Sequence, residues 1–338
     1  MEQTKGIGQL LWNLREKEGV RQTQLCKGLC SHAKYVRIEY DQQEMDFFLI
    51  DRLMGRLGKS VERLTYVLPI EVYEIYELRQ EIQQNICLGK WEEAEQCLEE
   101  YQKNRKAEEP LHQQFIEQEY AQIAWLRGES AETVCEHLEK AIAQTMPEAE
   151  TQRKTGILSV EEYKLLLFRW EVCFGTERER GEKELQELTE EIFQKNFERT
   201  ERVKVIPYAA LLKAKTSQDG KQDTYLKMIT ETALENLREE GKLLYMPEIL
   251  KQYAKILEKE NGDAEFIQLL RQERASILEL ESDHGVSFEN YRLFDHVVRN
   301  FEIDAELIRR TRTAAKLTQE KLSEDICAQE TLARIENG

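Results

Sequence analysis

The chain has 338 residues and a formal net charge of −17, with 41% hydrophobic residues but only 16 glycines and 5 prolines. This composition excludes collagen-like and disordered chains and is typical of a soluble, helix-rich protein of about two or three domains. The sequence opens without an apolar secretory signal, and no apolar run approaches the roughly 20 residues of a membrane span. We therefore expect a cytoplasmic protein without a membrane partner.

Residues 1–68 read as a compact unit of five short helices. Apolar spacing predicts helix one over Ile7–Lys17, helix two over Gln22–Leu29 and helix three over about 32–39. A fourth helix closes at Gly58, and a fifth begins with Ser60 as its N-cap. The unit carries 11 basic and 9 acidic residues, whereas residues 69–303 carry a net charge of −18. A polyanion is therefore expected to approach this end of the chain.

The helix count and spacing of this unit resemble those of the lambda-repressor/Cro-type (Xre-like) helix-turn-helix. The resemblance rests on Gln22 at the start of helix two, on Leu25 and Leu29, and on the Arg37-Ile38-Glu39 triplet. Tyr40-Asp41 replaces the Asn-Gly usual in the family, and Asp takes the left-handed conformation less readily than Gly. The resemblance implies a DNA-binding unit whose third helix enters the major groove, which is ~12 Å wide.

The same resemblance implies which side chains contact double-stranded DNA. The first residues of helix three, with Arg37 one turn later, would face base edges, and polar and basic residues on helix two would contact phosphates. Arg37 and Glu39 have a structural alternative, because this triplet often makes an internal salt bridge in the family. The candidate DNA-binding residues are Arg21, Gln22, Lys27, His32, Ala33, Lys34, Tyr35 and Arg37.

Residues 69–283 read as a repeat of helical hairpins that resembles a TPR array. Turn glycines recur from Gly89 to Gly262 at spacings of 39, 47, 45 and 42, slightly above the ~34 of a TPR unit. The clearest hairpin is Tyr73–Tyr101, with small Ala94 where its two helices must approach closely. Another surrounds Gly128, and three more diverged units follow over about 159–195, 203–238 and 243–280.

Stacked hairpins leave a concave groove lined by the first helix of each pair, and such a groove suits an extended peptide or a helix. A spacer or a dimerisation surface is the alternative interpretation. The acidic balance of the array favours a peptide with some positive charge. Helix position alone gives the candidate peptide-binding residues, which are Asn85, Gln122, Arg169, Lys213 and Tyr253.

The C-terminal end of the chain repeats its beginning at a constant offset of 297 residues. After a connecting segment over 284–303, residues 304–338 read as a partial second helix-turn-helix unit. Its Arg334-Ile335-Glu336 triplet pairs with that of the first unit, and Asn337-Gly338 keeps the family form. Because this unit has a net charge of −1 and carries Glu330 on its recognition helix, we favour a packing role over DNA reading.

One helix-turn-helix unit followed by a TPR-like array resembles the Rgg/PlcR-type peptide-responsive quorum-sensing regulators of Gram-positive bacteria. The resemblance implies a homodimeric transcriptional regulator in which a short peptide or protein ligand in the groove alters the spacing of two DNA-binding units. The sequence holds no phosphate-binding loop, no zinc-protease motif and no serine nucleophile elbow, so we expect no enzyme, cofactor or metal. The alternative is a TPR adaptor with degenerate helix-turn-helix units.

The seven cysteines form no CxxC pair, and their number is odd. We therefore expect buried free thiols in a reducing compartment rather than a disulfide framework.

Overall fold

The structure is a computed structural model that describes residues 6–43, 46–155, 157–173, 178–216, 224–285, 287–294 and 299–337. Within these ranges it holds eighteen α-helices, one short 3₁₀ helix and two four-residue strands. The predicted all-α class is therefore confirmed.

The N-terminal unit packs four helices around a small apolar core. They are α1 (Ile7–Lys17), α2 (Gln22–Leu25), α3 (His32–Glu39) and α4 (Phe47–Arg56). The first and third helices have the predicted bounds, whereas α2 is four residues shorter because the chain turns at Gly28, whose φ is +76°. Its fully buried side chains include Leu11, Leu25, Tyr35, Ile38 and Leu53.

The loop after α3 turns at Asp41, although it lacks the Asn-Gly pair. Asp41 takes the left-handed conformation with a φ of +52°, and its side chain accepts a hydrogen bond of 2.9 Å from the backbone amide of Gly8. The aspartate therefore ties the start of α1 to the end of α3, as a residue tolerant of this conformation can.

The fifth helix predicted from Ser60 is wrong. Residues 61–64 form a turn, and strand β1 (Thr65–Leu68) follows. The run Thr-Tyr-Val-Leu favours a strand because β-branched and aromatic side chains fit an extended backbone. This strand pairs in parallel with β2 (Asn300–Ile303), a partner far along the chain that local sequence patterns cannot identify.

The array consists of five helical hairpins, and all five predicted units correspond to a hairpin. Their helices are α5 (Ile70–Cys87) and α6 (Trp91–Gln102), α7 (Pro110–Leu126) and α8 (Ala131–Thr145), α10 (Val160–Cys173) and α11 (Arg178–Gln194), α12 (Arg199–Thr216) and α13 (Thr224–Glu239), and α14 (Met246–Lys259) and α15 (Ala264–Asp283). A short helix, α9 (Ala149–Lys154), is inserted before the third hairpin.

The turns between paired helices partly follow the predicted glycines. Gly89 and Gly128 have φ values of +71° and +72°, a conformation that glycine adopts without steric cost. In the last hairpin Asn261, with a φ of +54°, takes this role instead of Gly262. Gly175 and Gly220 lie outside the described residues. Ala94 is fully buried where α5 and α6 meet, as its small size predicts.

The expectation that all cysteines are free is wrong for one pair. Cys135 on α8 and Cys173 on α10 form a disulfide, with their Cα atoms 6.3 Å apart. Sequence spacing does not reveal this pair, because the hairpin array brings the two helices together. The other five cysteines are free.

The connecting segment returns from the end of the array to the N-terminal unit. It includes the 3₁₀ helix Phe288–Tyr291 and strand β2, whose Phe301 packs edge-on against Phe47 of α4 and close to Tyr76 of α5. The C-terminal unit then forms α16 (Asp304–Ala314), α17 (Gln319–Ser323) and α18 (Gln329–Asn337). Each of these helices begins 297 residues after its N-terminal counterpart.

Candidate nucleic-acid interface

The exposed side of α3 is the candidate DNA-contacting surface. Ser31 caps the helix by accepting a hydrogen bond of 3.2 Å from the amide of Lys34. His32, Ala33 and Arg37 are exposed, and Lys34 is half-buried. We call these four residues the reading face. It carries two basic side chains, Lys34 and Arg37, and Nε of Arg37 donates a hydrogen bond of 2.9 Å to the Gln43 side chain.

Tyr35 does not belong to the reading face, which corrects its assignment as a DNA contact. The side chain is fully buried, and its hydroxyl donates a hydrogen bond of 2.6 Å to Glu39. Burial, followed by the contact with Glu39, raises the pKa of the Tyr35 hydroxyl, so it remains a neutral donor. The helical repeat turns this residue toward the core while its neighbours face outward.

Glu39 is the centre of a buried polar network that joins the three helices of the motif. Its carboxylate accepts hydrogen bonds from Arg15 at 2.6 and 3.1 Å, from Gln22 at 2.6 Å and from Tyr35. Burial alone would raise the pKa of Glu39, but hydrogen bonds from Arg15, Tyr35 and Gln22 outweigh it and lower this pKa. Arg15 also donates to the carbonyl of Val20 at 2.9 Å. The network therefore fixes α3 against α1 and α2.

This network decides the alternatives left open for the Arg37-Ile38-Glu39 triplet. Glu39 does form an internal salt bridge, but its partner is Arg15 rather than Arg37. Two residues apart on a helix, Arg37 and Glu39 face different sides, and only Arg37 is exposed. Arg37 thus stays among the candidate DNA contacts.

The predicted phosphate-binding side chains of α2 and its turn are partly engaged within the protein. The Gln22 amide donates to Glu39, and its oxygen lies 3.1 Å from Nε2 of His32. A phosphate would have to compete with these partners, and the role of Gln22 stays a prediction. Lys27 pairs with Glu148 of the array at 2.6 Å, so a phosphate would have to compete with this carboxylate. Arg21 is exposed, and both its backbone amide and its Nε contact Gln24.

A buried arginine attaches the N-terminal unit to the array. Arg56, at the end of α4, is fully enclosed and binds Glu162 of α10 through two hydrogen bonds of 2.6 and 3.1 Å. The same guanidinium donates to three backbone carbonyls, those of Leu25, Lys27 and Thr145. Burial would raise the pKa of Glu162, but the nearby arginines lower it to about 2. The helix-turn-helix is thereby held against α8 and α10.

The C-terminal unit repeats the arginine, glutamate and glutamine contacts of the first unit's network, whereas Leu332 stands in the place of Tyr35. Arg312 donates to Glu336 at 2.6 and 2.8 Å, Gln319 donates to Glu336 at 2.8 Å, and Arg312 also donates to the carbonyl of Leu317 at 2.9 Å. These residues stand 297 positions after Arg15, Glu39, Gln22 and Val20. The local fold of the motif is therefore present twice in the chain.

Two differences distinguish the C-terminal unit from the first. Glu330 occupies the position of Ala33 on the reading face and adds a negative charge. Ile326 is 77% exposed where its counterpart Leu29 is 7% exposed. No counterpart of α4 covers this apolar side among the residues that the structure describes. The two units therefore differ in charge at this position and in the exposure of this apolar side chain.

The first helices of the hairpins line one side of the array, which we call the first-helix face. Among the candidate peptide-binding residues, Gln122 contacts a chain segment there, and this segment is the protein's own residues 290–294. The side chain of Asn85 contacts α6, that of Arg169 contacts α8 and α11, and that of Tyr253 contacts α13, all of them second helices of the hairpins. Their role in binding a peptide stays a prediction. Lys213 is half-buried, and its role stays a prediction.

Sequence reasoning missed the other residues of the first-helix face that contact this segment. They include Lys164 and Glu171 on α10 and Tyr208 on α12. A charged residue within an apolar stretch of a first helix, such as Lys164 beside Leu165–Phe168, is the signal that could have identified them.

A buried carboxyl group lies on the same helix as Gln122. Glu119 is 1% exposed and accepts hydrogen bonds from Gln83 at 2.8 Å and from Gln118 at 3.1 Å. Burial raises its pKa from 4.5 to about 7. The folded protein therefore binds this proton more tightly than the unfolded chain does, and the stability from this group falls as the pH rises from about 4.5 towards 7.

Glu119→Gln should remove this pH dependence. When the pH is raised from 5 to 8, we expect the unfolding free energy of the wild type to fall by roughly 2 kcal/mol more than that of the variant. Urea unfolding followed by circular dichroism at both pH values measures this difference. The exposed Glu129 gives the matched control, since Glu129→Gln should leave the pH profile unchanged. Parallel profiles for the wild type and Glu119→Gln would contradict the assignment.

The described residues contain no group of three or more histidine, cysteine or acidic side chains placed to hold a metal ion. Within the same ranges, no helix has the length and hydropathy needed to cross a membrane.

The fold and site together define an all-α chain with two helix-turn-helix-like units at the ends of a helical-hairpin array. No protein-family model matches the sequence. No curated protein matches it either. Among solved structures, the chain is similar to the crystal structure of Bacillus thuringiensis PlcR in complex with the peptide PapR7 and DNA. The identity is 14%, the match covers 86% of this chain and 99% of that chain, and the TM-score is 0.45.

Proposed function

We propose that this protein is a sequence-specific DNA-binding transcriptional regulator. The observation that carries the proposal is the reading face of α3, exposed on a helix whose orientation is fixed by the buried Arg15–Glu39 pair. Phosphate contacts would position such a unit, and His32, Ala33 and Arg37 would contact base edges in the major groove. The acidic array, by contrast, repels nucleic acid and leaves the N-terminal unit as the site of approach.

The second half of the proposal concerns the array. We infer that it binds a short peptide or protein partner and dimerises, so that the ligand controls the spacing of two N-terminal units on DNA. This agrees with the attachment of α4 to α8 and α10 through Arg56, since a change in the array would reach the helix-turn-helix through a buried contact. The regulator would thus belong to the peptide-responsive, quorum-sensing type.

A protein-interaction adaptor is the second candidate function. Two observations favour it: Lys27 is paired with an array carboxylate, and the C-terminal unit carries an acidic residue on its reading face. An adaptor of this kind would use the same hairpin array but would not bind DNA.

Selection of duplexes from a randomised pool, followed by fluorescence anisotropy at several salt concentrations, distinguishes the two functions. The regulator should select a defined site, and Lys34→Ala combined with Arg37→Ala should weaken binding roughly 10- to 100-fold and reduce the salt dependence. Lys154→Ala with Lys183→Ala is the matched control, because both lysines are exposed on the array and the charge change is the same. Equal binding by both double variants, or no selected duplex, would support the adaptor.

A further inference from the structure

Residues 290–294 lie on the first-helix face in the manner of a bound peptide. Gln122 donates to the carbonyl of Asn290 at 2.5 Å and accepts from the amide of Leu293 at 3.2 Å. Lys164 donates to the carbonyl of Phe294 at 3.0 Å. Three different contacts are thus made to the backbone of the segment, the pattern that gives affinity to a peptide-binding surface without dependence on side-chain identity.

Two side chains of the segment add specificity. Asn290 donates to the carbonyl of Cys87, at the end of α5, over 3.1 Å. Leu293 is 4% exposed and joins the core of the array. The segment is therefore contacted by the first helices of consecutive hairpins, which is where a stacked array presents its ligand surface.

Arg292 is the anchor of the segment. It is 6% exposed, and its guanidinium lies 3.3 Å from the Glu171 carboxylate. The same group lies over three aromatic rings, with centroids at 5.6 Å for Trp125, 5.0 Å for Phe168 and 5.9 Å for Tyr208. Aromatic faces and a carboxylate together form a pocket that suits a planar, delocalised cation.

The pocket is built by the array and does not depend on the segment alone. The Tyr208 hydroxyl donates to Glu171 at 2.7 Å, and Lys215 donates to the same carboxylate at 2.9 Å. Tyr208 stacks on Tyr245 with a centroid distance of 5.2 Å. These contacts hold Glu171 and Tyr208 in place around the guanidinium, so the array itself supplies the carboxylate and the aromatic faces that a planar cation needs.

We propose that the first-helix face is a binding site for a short peptide that contains arginine followed by an aliphatic residue and adopts a helical turn, and that residues 290–294 occupy this site in cis. The inference rests on the peptide-binding half of the proposed function and names the chemistry of its ligand. A peptide from outside the chain would have to displace the segment, whose effective concentration is on the order of millimolar.

Displacement of residues 290–294 would also affect β2 and the C-terminal unit. Further along the same chain, β2 pairs with β1 beside the N-terminal unit, and β2 leads directly into α16. A ligand that replaces residues 290–294 would therefore favour states in which β2 and the C-terminal unit are less firmly held.

The test uses the full chain and a fluorescein-labelled peptide with the sequence of Glu289–Phe294. Arg292→Ala weakens the cis occupant, so this variant should bind the labelled peptide at least tenfold more tightly than the wild type does, measured by fluorescence anisotropy without DNA. The same peptide with its arginine replaced by alanine should bind neither protein. Adding Gln122→Ala to the Arg292→Ala chain should weaken binding, because it removes two backbone contacts.

Arg292→Lys is a second variant that weakens the cis occupant, since it keeps the charge but loses the planar group that fits the pocket. It should also bind the labelled peptide more tightly than the wild type does. Circular dichroism establishes that each variant is folded. Folded variants that take up no more peptide than the wild type would overturn the proposal, as would equal binding of the alanine-substituted peptide. The DNA selection described above is separate: a chain that captures the peptide but selects no duplex would refute the regulator and leave this inference intact.

Discussion

Replacing Arg56 with methionine should lower the unfolding free energy by about 3–5 kcal/mol. The substitution leaves the Glu162 carboxylate, which has no exposed surface, without its main partner. It also removes the donor from the carbonyls of Leu25, Lys27 and Thr145. A buried charge without a partner and unsatisfied carbonyls are both costly in a low-dielectric interior. Urea unfolding monitored by circular dichroism measures the loss.

Two further variants test whether the pairing itself causes this loss. Arg52 lies 3.8 Å from Glu162 and is 13% exposed, so Arg52→Met should cost much less. Combining Arg56→Met with Glu162→Met should recover part of the loss, because no buried carboxylate then lacks a partner. If Arg56→Met and Arg52→Met cost the same, Arg56 is not the residue that attaches the N-terminal unit to the array.

Arg15→Met should destabilise the N-terminal unit by about 3 kcal/mol and release α3. The Arg15 side chain is 7% exposed and that of Glu39 is 2% exposed, so the remaining carboxylate would stay buried with only Gln22 and Tyr35 as donors. Hydrogen exchange of the α3 amides should accelerate, and binding to a selected duplex should fall in parallel because the reading face loses its fixed orientation.

The duplicated network supplies an internal control for this prediction. Arg312→Met makes the same change 297 residues later, where the arginine side chain is more exposed, at 16%. It should cost less and should leave the exchange of the α3 amides unchanged. Unchanged exchange of α3 in Arg15→Met would show that the buried pair does not hold the helix.

Local patterns were sufficient for the helices that bury one face. The bounds of α1 and α3 and the five hairpins follow from apolar spacing and turn residues, and the offset of 297 located the second unit. The helical periodicity also explains why Tyr35 faces the core, although the family resemblance assigned it to the DNA contacts. At this position, helical spacing is therefore a better guide to the buried side of the helix than the family resemblance is.

Contacts between distant segments could not be predicted in this way. The pairing of β1 with β2, the disulfide between α8 and α10, and the position of residues 290–294 all depend on how the array folds back on itself. For the same reason, helix position pointed to Gln122 but could not show that it contacts residues 290–294. A position on a first helix does not specify which neighbour the side chain meets, as the contact of Arg169 with α11 illustrates.

The most direct measurement of the central claim places a photo-crosslinking amino acid at Ala33, which is exposed at the start of α3. With a selected duplex, position 33 should crosslink to the bases of the bound site. The same amino acid at Glu330, the corresponding position of the C-terminal unit, should give far less crosslinked DNA. Crosslinks from position 330 and none from position 33 would contradict the assignment of the N-terminal unit as the part of the protein that reads DNA.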